Sequence, residues 1–346
     1  VRILIIKPSS LGDVIHSLPF LKAIRDTFQG AHIEWVISKN LKEILENNPL
    51  INSLIVFDKD SWSRFENFPK TVKEAVELIK TLKARHYDMV VDLQGLLRSG
   101  LITFFSKAPL KIGFKHAREG SRLFYNRKIS VNGSLHAVDR YIEIARVIKR
   151  DHRPQTTDHR IHKMEEISFP LYIDGIAKES VKKLLGNINE YVVIVPSARW
   201  ETKRWSPQNF GVLISKLSIP CVVTGSSADR QIIQQVMASS GGKGFNLCGK
   251  TSLKELVALI AGATAIISND SGPMHIGAVL GVPVIALFGP TDPVRTGPYG
   301  WQWNASLKVI KTSIPCSPCF KKKCSDPLCM SGISVETVLE ELKEYL

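Results

Sequence analysis

Several things are missing from this chain of 346 residues, and each absence removes a class of protein. No unbroken apolar run approaches the roughly 18–20 residues that cross a bilayer. The first apolar run, RILII at 2–6, gives way at once to Lys7 and Pro8. That is too short for the apolar region of a secretory signal, so a cytoplasmic protein is expected. Six cysteines are too few to scaffold a disulfide-stapled fold of this length. The fingerprint G-x-G-x-x-G does not occur, which speaks against a dinucleotide oxidoreductase. Acidic residues are scarce, 32 against 46 lysines and arginines, for a net charge of +14. The excess asks for an anionic partner, yet there is no disordered basic tail and no known nucleic-acid-reading motif. The basic residues gather instead at 111–128, around 199–204 and at 321–323.

What is present is a soluble α/β chain, with 44% hydrophobic and 23% charged residues. Short apolar runs at 2–6, 32–38, 53–57 and 88–93 alternate with helical patterns at 13–28, 40–47 and 70–84. Runs of that length between helices predict a parallel sheet covered on both faces. A basic, aromatic-containing segment follows at 111–130, then a helix over 137–148. The polar stretch at 150–170 reads as a linker. The βα pattern then restarts, with strands at 191–197, 221–226, 245–249, 265–270 and 283–289 and helices at 206–217, 226–239, 252–262 and 272–280. The expectation is two doubly wound domains, 1–168 and 169–332, with ligands beyond the carboxyl ends of strands. An amphipathic helix closes the chain at 333–346, with Val335, Val338, Leu339, Leu342 and Leu346 on one face.

Four stretches carry polar residues where such ligands bind. KPSSLGDVIHSLP at 7–19 follows the first strand; it reads either as a tight turn at Gly12 and a helix cap, or as the seat of a catalytic carboxylate, Asp13. SNDSGPMHIGAVLGVP at 268–283 places Asp270, Ser271 and Gly272 at a strand end, with Pro273 in the first helical turn. The free amides there suit a phosphate, and His275 lies on the first turn; an ordinary capped helix is the alternative. SARWETKRWSP at 197–207 puts Ser197, Arg199, Lys203 and Arg204 at another strand end. Lys203 suits a diphosphate, although a solvated basic loop is equally simple. In GSSAD at 225–229, Asp229 is either a ribose ligand or a plain helix-turn acid. Cys316, Cys319, Cys324 and Cys329 are spaced Cys-x2-Cys-x4-Cys-x4-Cys, compatible with structural zinc, with disulfides or with free thiols.

Together these stretches resemble the bacterial lipopolysaccharide heptosyltransferases, over almost the whole chain. DLQGLLRSG (92–100), AREGSRLFYNRK (117–128) and HAVDRY (136–141) add to the match, and the last two are most like heptosyltransferase I. The resemblance implies a glycosyltransferase B-type fold, two Rossmann-like domains facing a cleft. The acceptor would sit on the first domain, the nucleotide sugar on the second, and the last helix would pack back on the first. It implies inverting transfer of heptose from ADP-heptose to a Kdo residue of Kdo-lipid A, at the cytoplasmic face of the inner membrane as a peripheral protein. Asp13 matches the general base and Lys203 the diphosphate ligand. Ser197, Asp229, Thr251, Asp270, Ser271, Gly272 and His275 match donor-binding positions, and Ser10, Gly12, Arg64, Arg118 and Arg140 acceptor-binding ones. Fixed cations would replace a metal ion, so no cofactor is expected for catalysis, and no nucleic acid is expected as partner. The rival readings are heptosyltransferase II, another B-type transferase with a different acceptor, or a non-catalytic nucleotide- or nucleic-acid-binding protein.

Overall fold

The computed structural model describes residues 1–58, 68–152 and 167–346, with side chains described outside 68–70. The chain divides into two compact units, Val1–Tyr172 and Ile173–Leu346.

In the first unit β1 (Arg2–Ile6), β2 (His32–Ser38), β3 (Ser53–Phe57), β4 (Met89–Asp92), β5 (Leu110–Phe114) and β6 (Arg127–Ile129) form one parallel sheet. Its order is β3-β2-β1-β4-β5-β6. The register pairs Ile6 with Val36 on one side and with Asp92 on the other. Ile3 to Ile6 and Val90 and Val91 are buried, as strands covered on both faces must be. The covering helices are α1 (Leu11–His16), α2 (Leu18–Thr27), α3 (Phe68–Ala84), α4 (Leu97–Phe105) and α5 (Ala137–His152). The helix expected over 13–28 is two helices, because Ser17 closes α1 and starts α2, with Pro19 in the first turn of α2. The basic segment at 111–130 holds most of β5 and all of β6, an edge strand of the sheet.

The second unit opens with α6 (Gly175–Leu185) and then repeats the plan. Its strands are β7 (Val192–Val195), β8 (Cys221–Val223), β9 (Phe245–Asn246), β10 (Ala265–Asn269), β11 (Val284–Phe288) and β12 (Leu307–Lys311). They run in the order β12-β11-β10-β7-β8-β9, all parallel. Counted within the unit, this is the same 3-2-1-4-5-6 order as in the first. The helices are α7 (Pro207–Lys216), α8 (Arg230–Ser239), α9 (Leu253–Ala261), α10 (Gly272–Val279), α11 (Pro293–Thr296), α12 (Leu328–Ser331) and α13 (Val335–Lys343).

The closing helix departs from expectation. Val335, Val338 and Leu342 of α13 belong to the core of the second unit, with Trp205, Phe210, Leu213 and Ile214. The Trp205 indole N–H donates to the Ile333 carbonyl at 2.9 Å, and Lys216 on α7 pairs with Glu336. The apolar face of α13 is therefore occupied within its own unit.

Candidate functional site

In a 3-2-1-4-5-6 sheet the strand order reverses between strands 1 and 4, which leaves a crevice at their carboxyl ends. Each unit fills that crevice with a carboxylate and a lysine.

In the first unit the crevice lies between β1 and β4. Asp13 sits at the third position of α1 and accepts the Ser10 backbone N–H at 3.1 Å and the Ser10 hydroxyl at 2.8 Å, both on Oδ2. It caps the helix, as a Ser-x-x-acid box does. Its other oxygen, Oδ1, lies 3.8 Å from Lys7 Nζ, and the Asp13 side chain remains 39% exposed while Lys7 is buried. Capping and an open carboxylate coexist. Burial disfavours the Lys7 ammonium, but Asp13, Tyr141 and Asp92 hold its pKa above the ordinary lysine value. Lys7 is thus a fixed cation behind Asp13, 3.4 Å from the Leu93 carbonyl and 5.3 Å from the Tyr141 ring centre. Across the crevice, Asp92 is fully buried; it accepts the Tyr125 hydroxyl at 2.6 Å and the amides of Gln94 and Gly95. Burial raises its pKa despite these bonds. His16 and His136 stack edge to face at 4.9 Å on the α1 side.

The other acceptor-binding candidates in this unit divide. Ser10 is exposed and bonded to Asp13. Gly12 is buried inside α1 and has no left-handed backbone, so it is not the tight turn expected of it. Arg118 is exposed, on a turn whose backbone N–H bonds the Gly95 carbonyl. Arg140, on α5, has a buried Nε with no hydrogen-bond partner. Arg64 lies outside the described residues.

In the second unit the crevice lies between β7 and β10. Asp270, buried at the end of β10, pairs with Lys203 Nζ at 2.6 Å and accepts the Thr291 hydroxyl on the same oxygen. Lys203 lies over the Trp200 ring at 4.7 Å. The β7 loop is held by Asn269, whose side-chain amide donates to the Pro196 carbonyl and whose side-chain oxygen accepts the Trp205 backbone N–H. Arg204 donates to the Ala198 carbonyl. Trp205 is therefore core, whereas Trp200 belongs to the site. Ser271 caps α10 through its backbone only; its hydroxyl lies 3.1 Å from that of Ser268. The first amides of α10 have no side-chain cap, and such a terminus attracts anions. His275 is buried on the first turn.

Asp229 spends one oxygen on the Ser226 N–H and hydroxyl, the same Ser-x-x-Asp box that Asp13 makes in the first unit. Ser197 and Thr251 are both half-buried; Thr251 stands just before the α9 cap, Ser252. The letters at 244–251, GFNLCGKT, also spell the phosphate-loop pattern G-x-x-x-x-G-K-[ST]. The fold gives them another use: β9 lies inside the pattern and α9 starts at Leu253, after Thr251. A phosphate loop needs the strand before its first glycine and the helix at its lysine.

The four cysteines at 316–329 are free thiols. Burial raises the Cys329 pKa, and the other three thiols raise it further. Among the described residues no three His, Cys, Asp or Glu side chains are placed to hold a metal ion.

Lys7, Tyr141, Asn269 and Thr291 escaped sequence reasoning. Lys7 and Tyr141 stood in stretches already singled out, but nothing in their spacing said that they meet.

The match to known proteins agrees with this geometry. The model of glycosyltransferase family 9 (heptosyltransferase) matches residues 75–329. The chain is 29% identical to lipopolysaccharide heptosyltransferase 1 of Pseudomonas aeruginosa over 374 residues, covering 100% of this chain and 98% of that protein. It is 29% identical to lipooligosaccharide heptosyltransferase 2 of Campylobacter jejuni, covering 99% and 98%. Among solved structures, Escherichia coli heptosyltransferase WaaC with ADP-2-deoxy-2-fluoro heptose superposes with a TM-score of 0.74 at 25% identity, over the whole of both chains. Two Rossmann-like units with a charged crevice in each define a glycosyltransferase of the B type. The chain belongs to glycosyltransferase family 9, the heptosyltransferases.

Proposed function

We propose that this heptosyltransferase moves heptose from ADP-heptose to a Kdo residue of the lipopolysaccharide inner core, with inversion at the anomeric carbon. The observation that carries the reading is the matched pair of crevices, Lys7–Asp13 in one unit and Lys203–Asp270 in the other. The donor class is supported by the ADP-heptose analogue in the WaaC structure and the acceptor class by the name of the Pseudomonas relative.

In this reading the first unit holds the acceptor. Asp13 takes the proton of the attacking hydroxyl, with the Lys7 ammonium 3.8 Å from its carboxylate. Arg118 and the unpartnered Nε of Arg140 receive the acceptor's carboxylates or phosphates. The second unit holds the donor. The hydroxyl oxygen bonds to the anomeric carbon as the bond to the ADP oxygen breaks, and the electron pair leaves with the diphosphate. Lys203 and the amides of Ser271 and Gly272 meet that growing charge with fixed positive groups. Asp270, held by Thr291 and Lys203, and His275 orient the sugar or phosphates. Ser197, Asp229 and Thr251 line the nucleotide side. Because lysine and amides supply the positive charge, no metal ion is required.

No helix among the described residues is long and apolar enough to cross a membrane. Lys115, Arg118, Arg122, Arg127 and Lys128 are exposed along 111–128, beside an exposed Leu123. Such a basic stretch suits peripheral attachment to an anionic membrane surface.

The test is a purified-protein assay with ADP-heptose and Kdo-lipid A. Expected is release of ADP with one heptose added to Kdo. Turnover only with an acceptor already carrying heptose would favour the heptosyltransferase 2 reading, which the Campylobacter match supports. No transfer with either acceptor, together with no ADP binding, would overturn the proposal.

A further inference from the structure

The cysteine-rich loop at 316–329 is fastened against the second crevice. The Ser317 hydroxyl donates to the Gly289 carbonyl at 2.7 Å, and the Phe320 N–H to the Pro290 carbonyl at 2.8 Å, both just beyond β11. The buried Thr202 hydroxyl, one residue from Lys203, donates to the Lys321 carbonyl at 2.8 Å. Arg295 lies over the Phe320 ring at 5.9 Å. These anchors put Lys322 over the Trp200 ring, 5.4 Å from its centre, while Lys203 lies 4.7 Å from the same centre.

The two lysines differ in charge balance. Lys203 is neutralised by Asp270 at 2.6 Å, so that pair alone brings little net charge to a diphosphate. Lys322 is exposed and has no carboxylate partner among the described residues. Both ammoniums are within cation–π range of one indole. We propose that Lys322 is a second diphosphate-binding residue, supplied by the cysteine-rich loop, and that Trp200 holds it and Lys203 on the same anion. The proposal rests on the donor assignment made above. It gives the loop a role that needs neither metal nor disulfide: it carries a cation to the rim of β11.

Calorimetry with ADP, competition with adenosine, and donor and acceptor kinetics on the full-length protein test this. For Lys322→Ala the ADP Kd should rise about tenfold, adenosine should compete as in wild type, and Lys322→Arg should restore most of the loss. Lys323→Ala, which removes the neighbouring exposed charge, should change the ADP Kd less than twofold. The proposal is overturned if Lys322→Ala binds ADP as wild type does. It is equally overturned if Lys323→Ala weakens ADP as much, since long-range charge would then be sufficient, or if only the acceptor KM changes. If wild type itself binds no ADP, the donor assignment falls and this inference with it; if wild type binds ADP and Lys322→Ala does too, only the inference falls.

Discussion

Lys203 and Asp270 meet at 2.6 Å, with side chains 16% and 6% exposed, and Thr291 donates to the same carboxylate oxygen. In the proposed reading Lys203 meets the diphosphate, so the bound anion would compete with this buried carboxylate for the ammonium.

Replacing each partner should therefore have opposite effects on nucleotide binding. Lys203→Ala should weaken ADP binding by at least tenfold and lower kcat by roughly 10²–10³-fold, the range for removing one fixed donor from a developing charge. Asp270→Asn should bind ADP at least as tightly as wild type, because the ammonium is released, yet lose turnover. Calorimetry and initial rates measured on the two variants side by side check the pair.

Asp13→Asn should lower kcat by roughly 10²–10⁴-fold, the usual contribution of a general base, with ADP affinity unchanged. The amide still accepts from Ser10, so α1 keeps its cap and the thermal midpoint should move little. Near wild-type turnover in this variant would remove Asp13 from the chemistry.

Turnover should survive exhaustive treatment with a strong chelator. In the proposed reading the positive charge comes from Lys203 and backbone amides, and a rate that collapsed on chelation and returned with added divalent cation would contradict it.

Stability in acid should depend on Glu34. It is buried on β2 and bonded to Arg85 at 2.6 Å, to His32 at 3.0 Å and to the Tyr87 hydroxyl. Burial works against its charge, but the bonds from Tyr87, Arg85 and His32 win and hold its pKa below the ordinary glutamate value. A carboxylate depressed on folding stabilises above its unfolded pKa, and the contribution is lost as pH falls through the folded one. Glu34→Gln should cost about 1–3 kcal/mol at pH 7. The difference from wild type should shrink as pH falls below about 4, as urea unfolding at several pH values will show.

Gly113 leaves room for Tyr125: a Cβ at 113 would lie 2.3 Å from the ring. Gly113→Ala should push the ring away from Asp92 and destabilise the first unit by about 1–3 kcal/mol from overpacking alone. Tyr125→Phe, which keeps the packing and removes only the hydroxyl bonded to Asp92, should separate the two contributions in the same unfolding assay.

The sequence by itself determined the alternation of buried strands and amphipathic helices, because burial on both faces demands unbroken apolar runs of four to seven residues. It also placed Asp13, Lys203 and Asp270 at strand ends, where a doubly wound sheet opens its crevice. β9 was legible as a strand at 245–249, whereas β5, β6 and β12 were not; β6 and β12 are edge strands that pair with one neighbour only. Tertiary structure alone decided which charges pair. Lys7 and Asp13 are near in sequence, but Tyr141 reaches them from α5; Lys203 and Asp270 are 67 positions apart, and Lys322 comes from a third segment. It also decided that α13 buries its apolar stripe on Trp205 and Phe210 in its own unit. A hydrophobic stripe states that it must be covered and not by what, since the hydrophobic effect has no direction.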